Sequence, residues 1–247
     1  MTKDVVVSGI RATGRMHLGN YLGAMRNFSV LQEEAQCYFF VADYHTLTTT
    51  PDPDEIRKFL PDIVLDFLAT GVDPEKSTVF AQSSVPEIAE LALLLGMVEP
   101  VGELQRCPTF RDKVQSQKKK GGDDIVISSG LLFYPVLMAA DILIQKATLV
   151  PVGKDQLPHI KIARSIASRF NDIYGLTFPV PEAMGGRAIK VPGLDGTEKM
   201  GKSEGNTINL NDPFDVIRRK IAVAVTDTSR KRRQDPGDPF VCNLYAM

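Results

Sequence analysis

Val5-Val6-Val7-Ser8-Gly9-Ile10-Arg11-Ala12-Thr13-Gly14-Arg15-Met16-His17-Leu18-Gly19-Asn20 is the stretch on which the fold turns. Three successive β-branched residues ended by Ser8-Gly9 read as a short buried strand. From Leu18 onward apolar residues recur at helical spacing, at Leu18, Tyr21, Leu22, Met25, Phe28 and Leu31, which predicts a helix over 18–35. The apolar run Cys37 to Ala42 then reads as a second strand. A helix of that length between two strands is a crossover, so the opening segment is a βαβ unit.

Working outward, the pattern repeats. Ile56, Phe59, Leu60, Ile63, Val64, Phe67 and Leu68 predict a helix over 54–70, and Thr78 to Ala81 a third strand. This alternation predicts an α/β fold with an open, doubly wound, mostly parallel Rossmann-like sheet. Residues 87–98 read as an apolar helix. Residues 102–130, rich in charge and glycine around Lys118 to Asp124, read as a mobile surface excursion; its lysines form either a solvated face or a binding patch. Helical spacing resumes over 131–145 and again over 157–170. Thr148-Leu149-Val150 reads as a fourth strand and Ala188–Val191 as a short one. Asn211-Asp212-Pro213 opens a helix over 213–225. The expected organisation is a catalytic domain over 1–210, with a helical insertion and loop at 85–130, and the start of a helical region over 211–247.

Composition narrows the classes. At 43% hydrophobic and 24% charged residues the chain is neither disordered nor fibrous. A net charge of −1 supplies no global field for nucleic acid, so any RNA contact needs a local basic patch. The three cysteines, Cys37, Cys107 and Cys242, lack metal-ligand spacing, read as reduced thiols, and no metal ligands are expected. Glycine arrives too early for a signal peptide, and no apolar run approaches the roughly 20 residues of a membrane span. The expectation is a soluble, cytoplasmic protein.

The loop Ser8–Asn20 lies where ligands of doubly wound sheets bind, at a strand's carboxyl end and a helix N-terminus that suits phosphate. Gly9 and Gly14 permit close backbone approach, Gly19 clears the helix face for a nucleobase or ribose, and His17 and Asn20 add donors without a repelling carboxylate. The G-x-G-x-x-G fingerprint of dinucleotide enzymes is absent. A second loop, Gly196-Thr197-Glu198-Lys199-Met200-Gly201-Lys202-Ser203, satisfies the letters of the phosphate-binding P-loop. Its context does not fit: Pro192-Gly193 precedes it and Glu204-Gly205-Asn206-Thr207 is a poor helix start. The better reading is a closing loop whose Lys199 and Lys202 neutralise a leaving pyrophosphate. A solvated basic turn is the plainer alternative.

Together the two loops resemble the signature pair of class I aminoacyl-tRNA synthetases. His17-Leu18-Gly19-Asn20 is similar to the HIGH motif and Lys199-Met200-Gly201-Lys202-Ser203 to the KMSKS motif. The segments Ser8–Gly14, Tyr134 to Leu143, and Val150 to Gln156 with His159 narrow the resemblance to the tryptophanyl family, in order along nearly the whole chain. The resemblance implies ATP, with Mg²⁺ carried on its phosphates, L-tryptophan and tRNA(Trp) as partners, in a homodimer whose interface draws on the apolar segment 85–104. It implies catalytic roles for His17, Asn20, Lys199, Lys202 and Ser203. It implies ATP contacts from Arg11, Thr13, Gly19, Asn20, Gly153, Asp155, Val191, Lys199, Met200 and Lys202, and tryptophan contacts from Val7, Gly9, His45, Tyr134, Met138, Asp141, Val150, Val152 and Gln156. Asp141 would accept the indole N–H, with Met138 packing on the ring. Arg11 and Ala12 depart from the family's usual glutamine and proline. Family members continue into an anticodon-binding helical region, so the chain is expected to be a shortened form. Tyrosyl-type specificity, a P-loop kinase or NTPase, and a non-charging tryptophan- or RNA-binding protein stand as alternatives.

Overall fold

The computed structural model describes residues 3–49, 52–119, 127–185, 191–196, 199–227, 229–232, 234–245 and 247, without the side chains of Lys119 and Ser203. Five parallel strands form one sheet in the order β3-β2-β1-β4-β5, with β1 at Val5–Ile10, β2 at Gln36–Val41, β3 at Ser77–Ala81, β4 at Leu149–Val152 and β5 at Glu182–Gly185. The order reverses between β1 and β4, which opens a crevice at their carboxyl ends.

Alternation along the strands sends neighbours to opposite faces, and two cores result. Val6, Phe39 and Val41 pack with Met25 and Phe28, and with Ile63 and Phe67 of helix α4 (Pro53–Ala69). Phe28 and Phe39 stack at 4.3 Å between ring centroids. Val7, Phe40 and Val150 face the other way, onto α5 (Glu87–Gly96), α8 (Ser129–Ile144) and α9 (Leu157–Tyr174). Gly9 is required at the seam. It pairs in register with Phe40, and a Cβ there would lie 2.4 Å from the Phe40 ring.

Several elements differ from the sequence reading. The first helix is broken into α1 (Leu18–Asn20), a π segment (Tyr21–Met25) and α2 (Arg26–Glu34). A short α3 (Asp43–Thr46) follows β2. The excursion over 102–130 is largely helical: α6 spans Val101–Gln105 and α7 spans Pro108–Lys119. Helix α7 opens on proline and is built from good helix formers, but it is mostly solvent-facing, so it shows no apolar stripe. Residues 120–126 lie outside the described ones. The strand expected at Ala188–Val191 falls mostly on residues 186–190, which lie outside the described ones; Val191 is not in a strand, and the last strand among the described residues is Glu182–Gly185. That edge strand is mostly exposed and carries no β-branched residue, so periodicity could not find it. Helix α10 spans Phe214–Ala222. No helix among the described residues is long and apolar enough to cross a membrane.

Candidate active site

The carboxyl ends of β1, β2 and β4 converge on one cavity of about 490 Å³. Arg11 follows β1, His45 follows β2, and Gly153 with Gln156 follows β4, while Gln82, after β3, stands behind the lining against Asp141. The fourth wall is α8, whose Tyr134, Met138, Asp141 and Ile142 recur at one-face helical spacing and line the cavity together. All nine residues expected at a tryptophan pocket border this space: Val7, Gly9, His45, Tyr134, Met138, Asp141, Val150, Val152 and Gln156. Of the expected ATP residues, Arg11 and Gly153 also line it.

Asp141 is 3% exposed, which removes the alternative of a helix-surface carboxylate. Its Oδ2 lies 2.9 Å from His45 Nε2, and its Oδ1 accepts from Gln82 Nε2 at 2.8 Å. Burial pushes its carboxyl above the ordinary range, opposed by the contacts with His45 and Gln82. Gln82 is fully buried and went unnoticed in the sequence. The available signal was its position: the first polar residue after a strand of the parallel sheet, where functional groups of such sheets concentrate. Asp43 fixes this turn by accepting the Ser83 N–H at 3.0 Å. Tyr134 hydrogen-bonds His159 Nε2, and His159 Nδ1 lies 2.9 Å from Gln156 Oε1. His159 and Thr109, not assigned a role from sequence, therefore belong to the same wall.

The loop Ser8–Asn20 meets both the second loop and the chain that follows it. Leu18 N–H donates to Ile208 O and Leu210 N–H to Met16 O, both at 2.9 Å, pairing His17 with Asn209 in an antiparallel bridge. Asn20 Oδ1 accepts the His17 backbone N–H at 3.1 Å. His17 is buried, and burial together with the positive charges of Lys202 and Lys199 holds its imidazole down at about 4. It is thus neutral at physiological pH. Its Nδ1, like Arg11 Nε, is a buried nitrogen with no partner among the described residues. Two unspent nitrogens on one loop fit an anionic ligand. Thr13 and Gly19 stand on the same loop, both part-exposed.

Asn206 organises the second loop. Its Oδ1 accepts from Gly201 N–H at 2.9 Å and its Nδ2 donates to Asp195 Oδ1 at 2.9 Å. Met200 is buried, and its N–H donates to Val191 O at 2.9 Å, so the Val191 carbonyl serves the loop. Lys199 is exposed; Lys202 is half-buried with Nζ donating to Gly14 O at 2.8 Å. Burial lowers the Lys202 ammonium to about 8, against the pull of Asp66. Asp155 is exposed, and the Ser203 side chain lies outside the described ones. After Lys202 the chain makes a single 3-10 turn, Lys202–Glu204, which Gly205 ends at φ +67, and the next helix begins at Phe214. A P-loop requires a helix there, so that alternative falls.

A parallel sheet with two loops and a largely apolar cavity at its strand ends is the arrangement in which α/β proteins take up small ligands. The description "tRNA synthetases class I (W and Y)" belongs to a family model that matches residues 2–246. The chain is 48% identical to a tryptophan–tRNA ligase of Porphyromonas gingivalis, covering 99% of this chain and 74% of the relative. It is 47% identical to the tryptophan–tRNA ligase of Thermotoga maritima, covering 97% and 72%. The crystal structure of tryptophanyl-tRNA synthetase from Campylobacter jejuni complexed with ADP and tryptophan superposes with a TM-score of 0.87 at 37% identity, covering 98% of this chain and 73% of that one. The chain belongs to the class I tRNA synthetase family of tryptophan and tyrosine enzymes.

Proposed function

We propose that this chain activates L-tryptophan with ATP, releasing pyrophosphate and forming tryptophanyl-adenylate, and passes the acyl group to tRNA(Trp). The observation that carries the choice of tryptophan is Asp141: a buried carboxylate facing a mostly apolar cavity, with one oxygen toward His45 and the other toward Gln82. A carboxylate accepts and does not donate, which matches an indole N–H. A phenol hydroxyl both donates and accepts, and Met138 beside Asp141 offers it nothing polar. Tyr134 and Gln156 take the α-amino and carboxylate groups.

No side chain needs to act as a nucleophile. The tryptophan carboxylate attacks the α-phosphorus in line, and the protein contributes positioning and charge stabilisation. Arg11, Thr13, His17, Gly19 and Asn20 hold the ATP from the first loop. Gly153, Asp155, Val191 and Met200 frame it from the other side. Lys199 and Lys202 move onto the departing pyrophosphate, and Ser203 belongs to the same catalytic loop. Lys202 must then leave the Gly14 carbonyl, a contact that a phosphate oxygen can replace. Mg²⁺ arrives with the ATP and is held mainly by its phosphates; no cluster of three carboxylate, histidine or cysteine ligands occurs among the described residues. Leu93, Leu94, Met97 and Val101 are each more than half exposed, on and just after α5, which supports a homodimer through that face. The reaction takes place in the cytoplasm.

The test is amino-acid-dependent ATP–pyrophosphate exchange with tryptophan and tyrosine in parallel. Tryptophan-dependent exchange is expected. Exchange with tyrosine alone would overturn the role of Asp141, and exchange with neither would overturn the enzymatic reading. Light scattering at micromolar concentration checks the dimer; a monomer there removes it.

A further inference from the structure

The polar part of the cavity wall around Tyr134 contains more than two side chains. Asp155, Gln156, His159 and Tyr134 form a continuous hydrogen-bonded series from the protein surface to the cavity. Its directions can be worked out from one end. The Asp155 carboxylate only accepts, so the Gln156 amide turns its Nε2 toward Asp155 Oδ2, at 2.8 Å. That leaves Gln156 Oε1 facing His159 Nδ1 at 2.9 Å, and an amide oxygen can only accept, so the proton of the imidazole sits on Nδ1. In the neutral imidazole Nε2 is then a bare acceptor. The Tyr134 hydroxyl, which is its close neighbour, donates to it. Burial keeps the Tyr134 phenol above its usual range, so the hydroxyl retains the proton it donates. Cys107 Sγ, at 3.6 Å, and Thr109 Oγ1, 3.5 Å from Nε2, are more distant competitors for these atoms.

We infer that His159 is a positioning residue for substrate recognition: it fixes the direction of the Tyr134 hydroxyl proton, so that the oxygen lone pair faces the cavity and accepts from the α-ammonium of the amino acid. Without a bare nitrogen at this position the hydroxyl rotates freely and its proton opposes the ammonium for part of the time. His159 is 3% exposed and borders the cavity, so no water replaces Nε2 without repacking. The inference rests on the reading that Tyr134 receives the ammonium group.

The experiment compares L-tryptophan with indole-3-propionate, which keeps the indole and the carboxylate and lacks the amine. The chain contains no tryptophan, so ligand fluorescence reports binding directly. In His159→Leu, L-tryptophan is expected to bind about tenfold more weakly, the size of one net hydrogen bond, and indole-3-propionate within about twofold of the native protein. His159→Gln, which restores an acceptor oxygen near the Nε2 position, is expected to recover most of the preference for the amine. Equal losses of both ligands in His159→Leu would overturn the role of His159. Equal binding of both ligands by the unmodified protein would instead remove the ammonium contact on which the inference rests. A measurement free of any folding defect is ¹⁵N NMR of histidine-labelled native protein, which has three histidines to assign. A protonated Nδ1 and bare Nε2 at His159 is expected; the opposite tautomer would overturn the inference.

Discussion

Asp141→Ala separates two things this carboxylate does. In the protein it satisfies His45 Nε2 at 2.9 Å and Gln82 Nε2 at 2.8 Å in a site where Asp141 is 3% exposed. Removing it strands one buried amide, Gln82, at a cost of about 1–3 kcal/mol, and one half-buried imidazole, His45, which water can partly serve. Relief from burying a carboxylate whose ionised form is disfavoured there offsets part of this. The net expectation is a loss of about 1–3 kcal/mol of stability, well within what a folded domain tolerates. In the complex the same change removes the acceptor of the indole N–H. A hydrogen bond to a charged acceptor contributes about 1.5–3 kcal/mol, which at 1.4 kcal/mol per decade is roughly 10- to 150-fold in affinity. Calorimetric titration with L-tryptophan and with 3-(benzothiophen-3-yl)alanine, which carries sulfur in place of N–H, isolates this term. The native protein should prefer tryptophan by about that factor, and Asp141→Ala should bind the two about equally. An unchanged affinity for tryptophan, or a variant that still prefers it to the sulfur analogue, would refute the assignment. A stability loss alone would not support it.

Other consequences are open to measurement. His17 titrates at about 4 in the fold against about 6.5 when unfolded. Between these values the unfolded chain binds more protons, so stability rises with pH from about 4 to about 6.5, by roughly 2–3 kcal/mol from this group; urea melts should show the slope, and His17→Asn should flatten it. Lys202 is cationic below about 8 and neutral above it, so KM for ATP should climb as pH passes that value. Lys202→Arg should remove the climb, and an identical profile in that variant would exclude Lys202 as its source. Gly9→Ala places a methyl 2.4 Å from the Phe40 ring and should cost about 1–3 kcal/mol in a denaturant melt, where a change below about 0.5 kcal/mol would contradict the packing described.

The order of strands and crossovers was legible because β1, β2 and the helices between them are buried on one face or both, and burial writes periodicity into sequence. Helix α7 and strand β5 escaped the same reading because solvent covers most of their side chains, leaving no pattern to select. The pairing of the two loops was legible only as a resemblance. Its physical basis, the contact of Lys202 with the Gly14 carbonyl, joins residues far apart in the chain.

By itself, then, the sequence determined the alternation of elements and the two glycine-containing loops, since local propensity and motif spacing are properties of neighbours along the chain; the nine residues that border the cavity were named through the family resemblance. Tertiary structure alone decided that Gln82 partners Asp141, that Lys202 rests on Gly14, that His17 is neutral and that His159 orients Tyr134. Those facts depend on burial and on hydrogen-bond direction between residues brought together only when the strand ends meet, and neither quantity exists until the sheet has formed.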